Sequence, residues 1–176
     1  MTRNDTNLLT FGLSEKFFSQ SPPASCCRQE INTTSRMLAK TDMLTNVEHI
    51  GIAVRDMAAA NELFAKLLNV LPYKAESVEA EGVMTSFFRV NKTKIELLEA
   101  TTPDSPIAKF LDKKGEGIHH LAFEVDDIVA EMGRLKGEGF TLLNDVPKRG
   151  ADNKWVCFLH PKGTNGVLIE LCQEIK

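Results

Sequence analysis

Apolar residues alternate with small or polar ones from Val47 onward: Ile50, Ile52 and Val54 share one face of an extended strand, and His49, Gly51 and Ala53 the other. A strand is predicted over 46–54. The period then lengthens, and Leu63, Phe64, Leu67 and Leu68 recur at helical spacing behind Asp56, a residue suited to cap the first free amides of a helix over about 56–69. That leucine-rich stripe is expected to pack on the sheet. Strands follow near 73–79, 83–90 and 94–100. After Pro103, Asp104 or Ser105 caps a short helix through Lys114 that ends at Gly115 and Gly117. A second series then begins, with a strand over 118–125, a helix over about 127–137 started by Asp126 or Asp127, and strands near 139–143, 155–160 and 166–173. Residues 147–154 form a polar loop long enough to serve as a lid, and 160–166 a tight hairpin connection.

Both series have the order βαβββ, and they share residues as well as order. His49, Val54 and Asp56 return as His120, Val125 and Asp127, and the triplet Ile95-Glu96-Leu97 returns as Ile169-Glu170-Leu171. The offsets are 120 − 49 = 71 and 170 − 96 = 74, so two copies of one unit stand in tandem, each with one His and one Glu. In each copy the His and the Glu are out of phase with their apolar neighbours and point away from the hydrophobic layer. Two imidazoles and two carboxylates at equivalent places make a divalent-metal site at the join of the halves. His119, one residue out of phase with His120, is expected to be structural, and His160 to form a turn.

Composition narrows the partners. A net charge of −3 offers no basic field for nucleic acid, and no apolar run has the length to span a bilayer. Of four cysteines, Cys26 and Cys27 are adjacent and none forms a CxxC pair, so a reducing compartment fits better than a disulfide framework. Cys157 and Cys172 lie in strand-like runs as small buried hydrophobes, and Cys172, in phase with Glu170, is placed to line the cleft. Residues 1–42 are rich in Ser, Thr and Asn, lack a sustained period, and are expected to be a disordered extension of a folded domain over 43–176 with modules at about 46–102 and 117–174. Phe11 to Phe18 has room for one or two amphipathic turns, and Met43 is an equally good start. Asp5, Glu15, Glu30 and Asp42 argue against a mitochondrial presequence, which favours the cytoplasm of a bacterium over the mitochondrial matrix.

A doubled βαβββ unit with one His and one Glu per copy resembles the vicinal oxygen chelate, or glyoxalase-like, superfamily. The resemblance extends over about residues 46–173 and implies an α+β fold in which two modules build a cup-shaped mixed sheet around a metal. Longer strings, Asp104-Ser105-Pro106-Ile107-Ala108-Lys109-Phe110-Leu111, Gly117-Ile118-His119-His120 and Phe158-Leu159-His160-Pro161-Lys162 with Gly166-Val167-Leu168-Ile169-Glu170-Leu171, are similar to the methylmalonyl-CoA epimerase family. Carried over by position, the resemblance puts the metal on His49, Glu96 (Gln in several members), His120 and Glu170. It implies Co²⁺, with Mn²⁺, Ni²⁺ or Zn²⁺ as alternatives, an acyl-CoA substrate, and a homodimer. One position departs from the pattern. Characterised bacterial relatives carry a glutamate base shortly after a Gly-Val, whereas here Gly82-Val83 is followed by Met84 and Thr85. Glu96 and Glu170 are then the candidate bases, with Glu79 and Glu81 behind them. Lys148, Arg149, Lys154 and Lys162, beside the last ligand strand, are candidates for the coenzyme A phosphates. The same four metal ligands also suit glyoxalase I acting on a glutathione hemithioacetal, and the superfamily includes non-catalytic binding members.

Overall fold

The structure, a computed structural model, describes residues 44–176. The expectations for residues 1–42 and for Met43 lie outside the described residues. The first module comprises β1 (Leu44–Val54), α1 (Met57–Leu68), β2 (Lys74–Val78), β3 (Val83–Val90) and β4 (Thr93–Ala100). The linker helix α2 (Pro106–Lys114) leads to the second module, β5 (Gly117–Val125), α3 (Ile128–Gly137), β6 (Lys148–Arg149), β7 (Lys154–Leu159) and β8 (Leu168–Glu174). The eight strands form one mixed sheet in the order β2-β3-β4-β1-β5-β8-β7-β6. Within each module the first strand pairs parallel with the last, and the modules meet where β1 and β5 run antiparallel. No helix among the described residues is long and apolar enough to cross a membrane.

The caps follow the sequence. The carboxylate of Asp56 accepts from the Ala59 amide, Ser105 caps α2 rather than Asp104, and Asp127 rather than Asp126 caps α3 by accepting from the Val129 and Ala130 amides. A second device repeats with the modules. The Glu99 carboxylate accepts from the Met57 amide and the Gln173 side-chain oxygen from the Ile128 amide, so the last strand of each module ties down the first turn of its own helix.

Helices α1 and α3 cover the outer face of the sheet. Val54, Phe88 and Leu97 pack beneath α1, and Val125, Leu159 and Leu171 beneath α3. Helix α2 instead covers one end of the inner face, where Ile107 and Leu111 meet Ala53, Val83 and Leu98. Two expectations are corrected here. Only half of the α1 stripe is core: Phe64 and Leu68 pack on the sheet, but Leu63 and Leu67 are 62% and 70% exposed, because a helix on one sheet face buries a narrower arc than four leucine-class positions span. The segment 139–143 is not a strand. It makes a single bridge, Leu142 to Leu159, while Phe140 and Leu142 fill the core under α3. Regular pairing resumes only at β6, past Pro147, which has no amide hydrogen to give the ladder.

The polar loop is not a free lid. Besides the pairing of β6 with β7, the Asp152 carboxylate accepts from Lys94 at 2.6 Å, Lys74 at 3.2 Å and the Tyr73 hydroxyl at 3.3 Å, and its amide donates to Glu76. Lys148 pairs with Glu81 at 2.5 Å. The two ends of the sheet are thus tied across the mouth of the cup. Burial works to raise the Asp152 pKa, but the bonds and charges of Lys94 and Lys74 outweigh it and hold the carboxyl below its usual 3.8. The ties therefore stabilise the fold above that value and lose their effect as pH falls through the lower folded one. Asp152→Asn, which suits the left-handed backbone there (φ 50°), should cost about 1–2 kcal/mol at neutral pH. Urea unfolding at a series of pH values should show the gap from wild type closing as the medium becomes more acidic than pH 3.8.

Candidate metal and active site

Two irregularities in the β1–β5 ladder shape the site. Val47 lies opposite Phe123 and His49 opposite Ala122, so Glu48 is an extra residue in β1; Gly51 lies opposite His120 and Ile52 opposite Ile118, so His119 is an extra residue in β5. Each is a β-bulge, which turns a side chain off the strict alternation of the strand. Glu48 and His119 consequently line the same cavity as the histidines that follow them. Strict alternation places His119 on the opposite face, and the bulge overturns that.

Parallel pairing then brings the acids alongside. Glu96 sits beside Gly51 in β4, and Glu170 beside Ala122 in β8. Nε2 of His49 is 3.1 Å from Glu96 Oε2 and 3.5 Å from Glu170 Oε2, and Nε2 of His120 is 3.0 Å from Glu170 Oε2 and 3.5 Å from Glu96 Oε2. The two Nε2 atoms are 2.8 Å apart. All four residues are buried. Gly51 makes the approach possible, since a Cβ there would stand 2.2 Å from the His120 ring. The edge of Phe158 supports that ring from another side, at 5.8 Å between centroids.

His49, Glu96 and His120 offer ligand atoms within 4.8 Å of one another, Glu170 lies within 3.5 Å of both imidazoles, and this mixed nitrogen and oxygen set, from four strands and two repeats, suits a divalent ion. Without an ion the charges balance internally. Burial disfavours charge on His49, yet Glu96, Glu170 and Glu48 raise its pKa well above the usual 6.5, and His120 is raised by Glu170 and Glu96. The same pairs outweigh burial at Glu96 and Glu170 and hold both carboxyls below the usual range. Behind His49, Glu48 accepts from Nδ1 at 2.5 Å and also binds Lys94; burial would raise its pKa, but these two partners hold it at about 2. His119 is pushed down to about 4 by burial and by the nearby His120.

The cavity over these donors has a volume of about 280 Å³. Val83, Phe87, Leu98, Val156 and Phe158 supply apolar walls. Of the candidate coenzyme contacts, Lys148, Arg149 and Lys154 line the cavity, with Lys154 turned inward, 3.6 Å from Glu48. Lys162 lies in a 3-10 turn (Pro161–Gly163) away from the lining, where the His160 ring caps the turn through the Lys162 amide. Thr85 lines the cavity, but its hydroxyl donates to the Glu76 carbonyl. Glu81 lines it too, held by Lys148, whereas Glu79 does not and accepts from Ser77. Cys172 lines it as its parity required, with Sγ 3.5 Å from Glu170 Oε1. Pattern reasoning passed over Glu48 and Lys94; the one available signal was a carboxylate directly before the first histidine.

Residues 48–158 match the family model of the glyoxalase/bleomycin resistance protein/dioxygenase superfamily. The chain is 42% identical over 133 residues to the ethylmalonyl-CoA/methylmalonyl-CoA epimerase of Cereibacter sphaeroides, covering 74% of this chain and 99% of that protein. It is 40% identical over 131 residues to the mitochondrial methylmalonyl-CoA epimerase of Homo sapiens, covering 74% of each. Among solved structures, a Streptomyces coelicolor methylmalonyl-CoA epimerase variant in complex with 2-nitronate-propionyl-CoA superposes with a TM-score of 0.73 at 35% identity, over 76% of this chain and 99% of that one.

Proposed function

The chain belongs to the glyoxalase/bleomycin resistance protein/dioxygenase superfamily and to its methylmalonyl-CoA epimerase branch, and we propose that it interconverts (2R)- and (2S)-methylmalonyl-CoA. The observation that carries this reading is the buried meeting of two imidazoles and two carboxylates, one of each from either repeat, beneath a cavity with mostly apolar walls. The epimerase relatives favour it over glyoxalase I or a non-catalytic binding role.

The reaction removes the proton on the carbon between the thioester and the carboxylate and returns it to the opposite face. His49, Glu96, His120 and Glu170 would hold the divalent ion, and the chemistry it supplies is stabilisation of negative charge on the thioester oxygen as the proton leaves. Co²⁺ is the ion we propose, and the same donors accommodate Mn²⁺, Ni²⁺ or Zn²⁺. Glu96 and Glu170, held deprotonated and contributed by opposite repeats, take and return the proton. Val83, Phe87, Leu98, Val156 and Phe158 give the substrate an apolar surface beside the donors. With Thr85 committed to a backbone carbonyl, Glu81 stands next as a base, and its bond to Lys148 competes with that role.

Lys148, Arg149 and Lys154, in the cavity lining, and Lys162, outside it, are proposed to meet the phosphates of coenzyme A. Lys148→Ala with Arg149→Ala should raise KM for the thioester roughly tenfold, equivalent to about 1.4 kcal/mol, and leave kcat nearly unchanged, the pattern of lost uniform binding. Steady-state kinetics checks this, and an unchanged KM places the phosphates elsewhere. A homodimer accords with the exposed apolar residues Leu63 and Leu67, one turn apart on α1. The function itself is tested by assaying the Co²⁺-loaded protein with methylmalonyl-CoA and, separately, with methylglyoxal and glutathione. Epimerisation alone is expected; turnover of the hemithioacetal without epimerisation overturns the reading.

A further inference from the structure

We infer that Glu48 and His119 are the positioning residues of His49 and His120, each holding the Nδ1 side of the imidazole that follows it so that Nε2 faces the metal. This rests on the four-donor reading above and adds what fixes the rings. A neutral imidazole carries one ring proton. Coordination through Nε2 therefore requires that proton on Nδ1, and a buried Nδ1–H requires an acceptor. Both acceptors are in place. Glu48 Oε2 is 2.5 Å from Nδ1 of His49, and Nδ1 of His119 is 2.9 Å from Nδ1 of His120, while both Nε2 atoms point at the Glu96 and Glu170 carboxylates.

The bulges are the device that permits this. On a regular strand, neighbouring side chains point to opposite faces, and neither residue could reach the ring of the next. The extra residue in each ladder turns inward instead, at 48 in β1 and at 119 in β5. The spacing 119 − 48 = 71 equals that of the two histidines, so the device belongs to the repeat although the residue type differs.

Different elements stand behind the two residues. Glu48 is bound by Lys94, which is held in turn by Asp152 of the opposite module at 2.6 Å. The His119 ring packs edge-on against Phe110 of the linker helix, 5.0 Å between centroids. A carboxylate strengthens an imidazole donor more than a neutral ring does, so the arms are unequal, and loss of Glu48 should weaken the site more than loss of His119.

The test is Co²⁺ titration of the full chain followed by visible absorption, for wild type, Glu48→Ala, Glu48→Gln, His119→Ala and His119→Gln. Both alanine variants should bind Co²⁺ roughly 10–100-fold more weakly, and both glutamine variants, whose amide oxygen still accepts from Nδ1, should recover to within about a few-fold of wild type. Thermal unfolding in chelator separates this from a structural role. Alanine variants that lose stability but bind Co²⁺ like wild type once folded overturn the inference. Nitrogen NMR of the Zn²⁺-loaded wild type gives a readout free of folding effects: protons on Nδ1 of His49 and His120 support it, and protons on Nε2 overturn it. A wild type that binds no Co²⁺ removes the four-donor reading and this inference together, whereas normal binding in wild type and both alanine variants removes this inference alone.

Discussion

His49→Ala or His120→Ala is expected to lower Co²⁺ affinity by roughly 10²–10³-fold, one donor's share of the roughly 10–16 kcal/mol that a four-donor protein site provides. Exchange of the substrate α-proton with deuterated solvent should fall with it. Each imidazole stands within 3.5 Å of both carboxylates, so its removal leaves a gap in the donor set that the buried surroundings do not refill. Chelation of the wild type should have the same effect on exchange and be reversed by added Co²⁺. Calorimetric or spectroscopic titration and solvent exchange followed by mass spectrometry check the two halves of the statement. Metal-free protein that exchanges at the full rate would end the metal-stabilised enolate mechanism and move charge stabilisation to a cation of the cavity lining such as Lys154.

Glu96→Gln and Glu170→Gln should separate the role of ligand from that of base. An amide oxygen keeps a donor in place but takes no proton, so metal binding should survive while epimerisation falls by roughly 10²–10⁴-fold, the usual cost of a lost acid–base group. The two variants should also differ in direction. The carboxylates come from opposite repeats, so each variant should still exchange the proton of the one enantiomer that faces its surviving base. Separate incubations of (2R)- and (2S)-methylmalonyl-CoA in deuterated water measure this. If Glu96→Gln exchanges both enantiomers normally, Glu96 is a ligand only, and Glu81 or a water near Thr85 becomes the second base.

The meeting of His49, Glu96, His120 and Glu170 was legible in the sequence for a physical reason: duplication placed the same residue types at the same phase of two strands, and that phase was fixed by Leu97 and Leu171, which are buried, with Ile95 and Ile169 half-buried beside them. What lies around the donors was not. Alternation assumes an unbroken ladder, and the bulges at Glu48 and His119 break it with no glycine or proline at either bulged position. The α1 stripe misled in the opposite sense, since Leu63 and Leu67 have the spacing of core residues but no partner layer. Strand 139–143 failed because Phe140 and Leu142 serve the core beneath α3 and Pro147 delays the ladder. The ties made by Asp152 depend on residues 58 to 79 positions away in the chain, a distance at which local pattern carries no information.

Because the four proposed donors belong to β1, β4, β5 and β8, an ion held by them would act as a cross-link between positions 49 and 170, nearly the full length of the described chain. It would span the antiparallel seam between β1 and β5 at which the two modules join. Such a clamp would resist parting of the halves in the way a disulfide resists opening of a long loop, with a strength that follows the free concentration of the ion. The duplicated architecture would thereby let the supply of the ion add to the hold that the β1–β5 ladder and the ties of Asp152 and Glu81 already give.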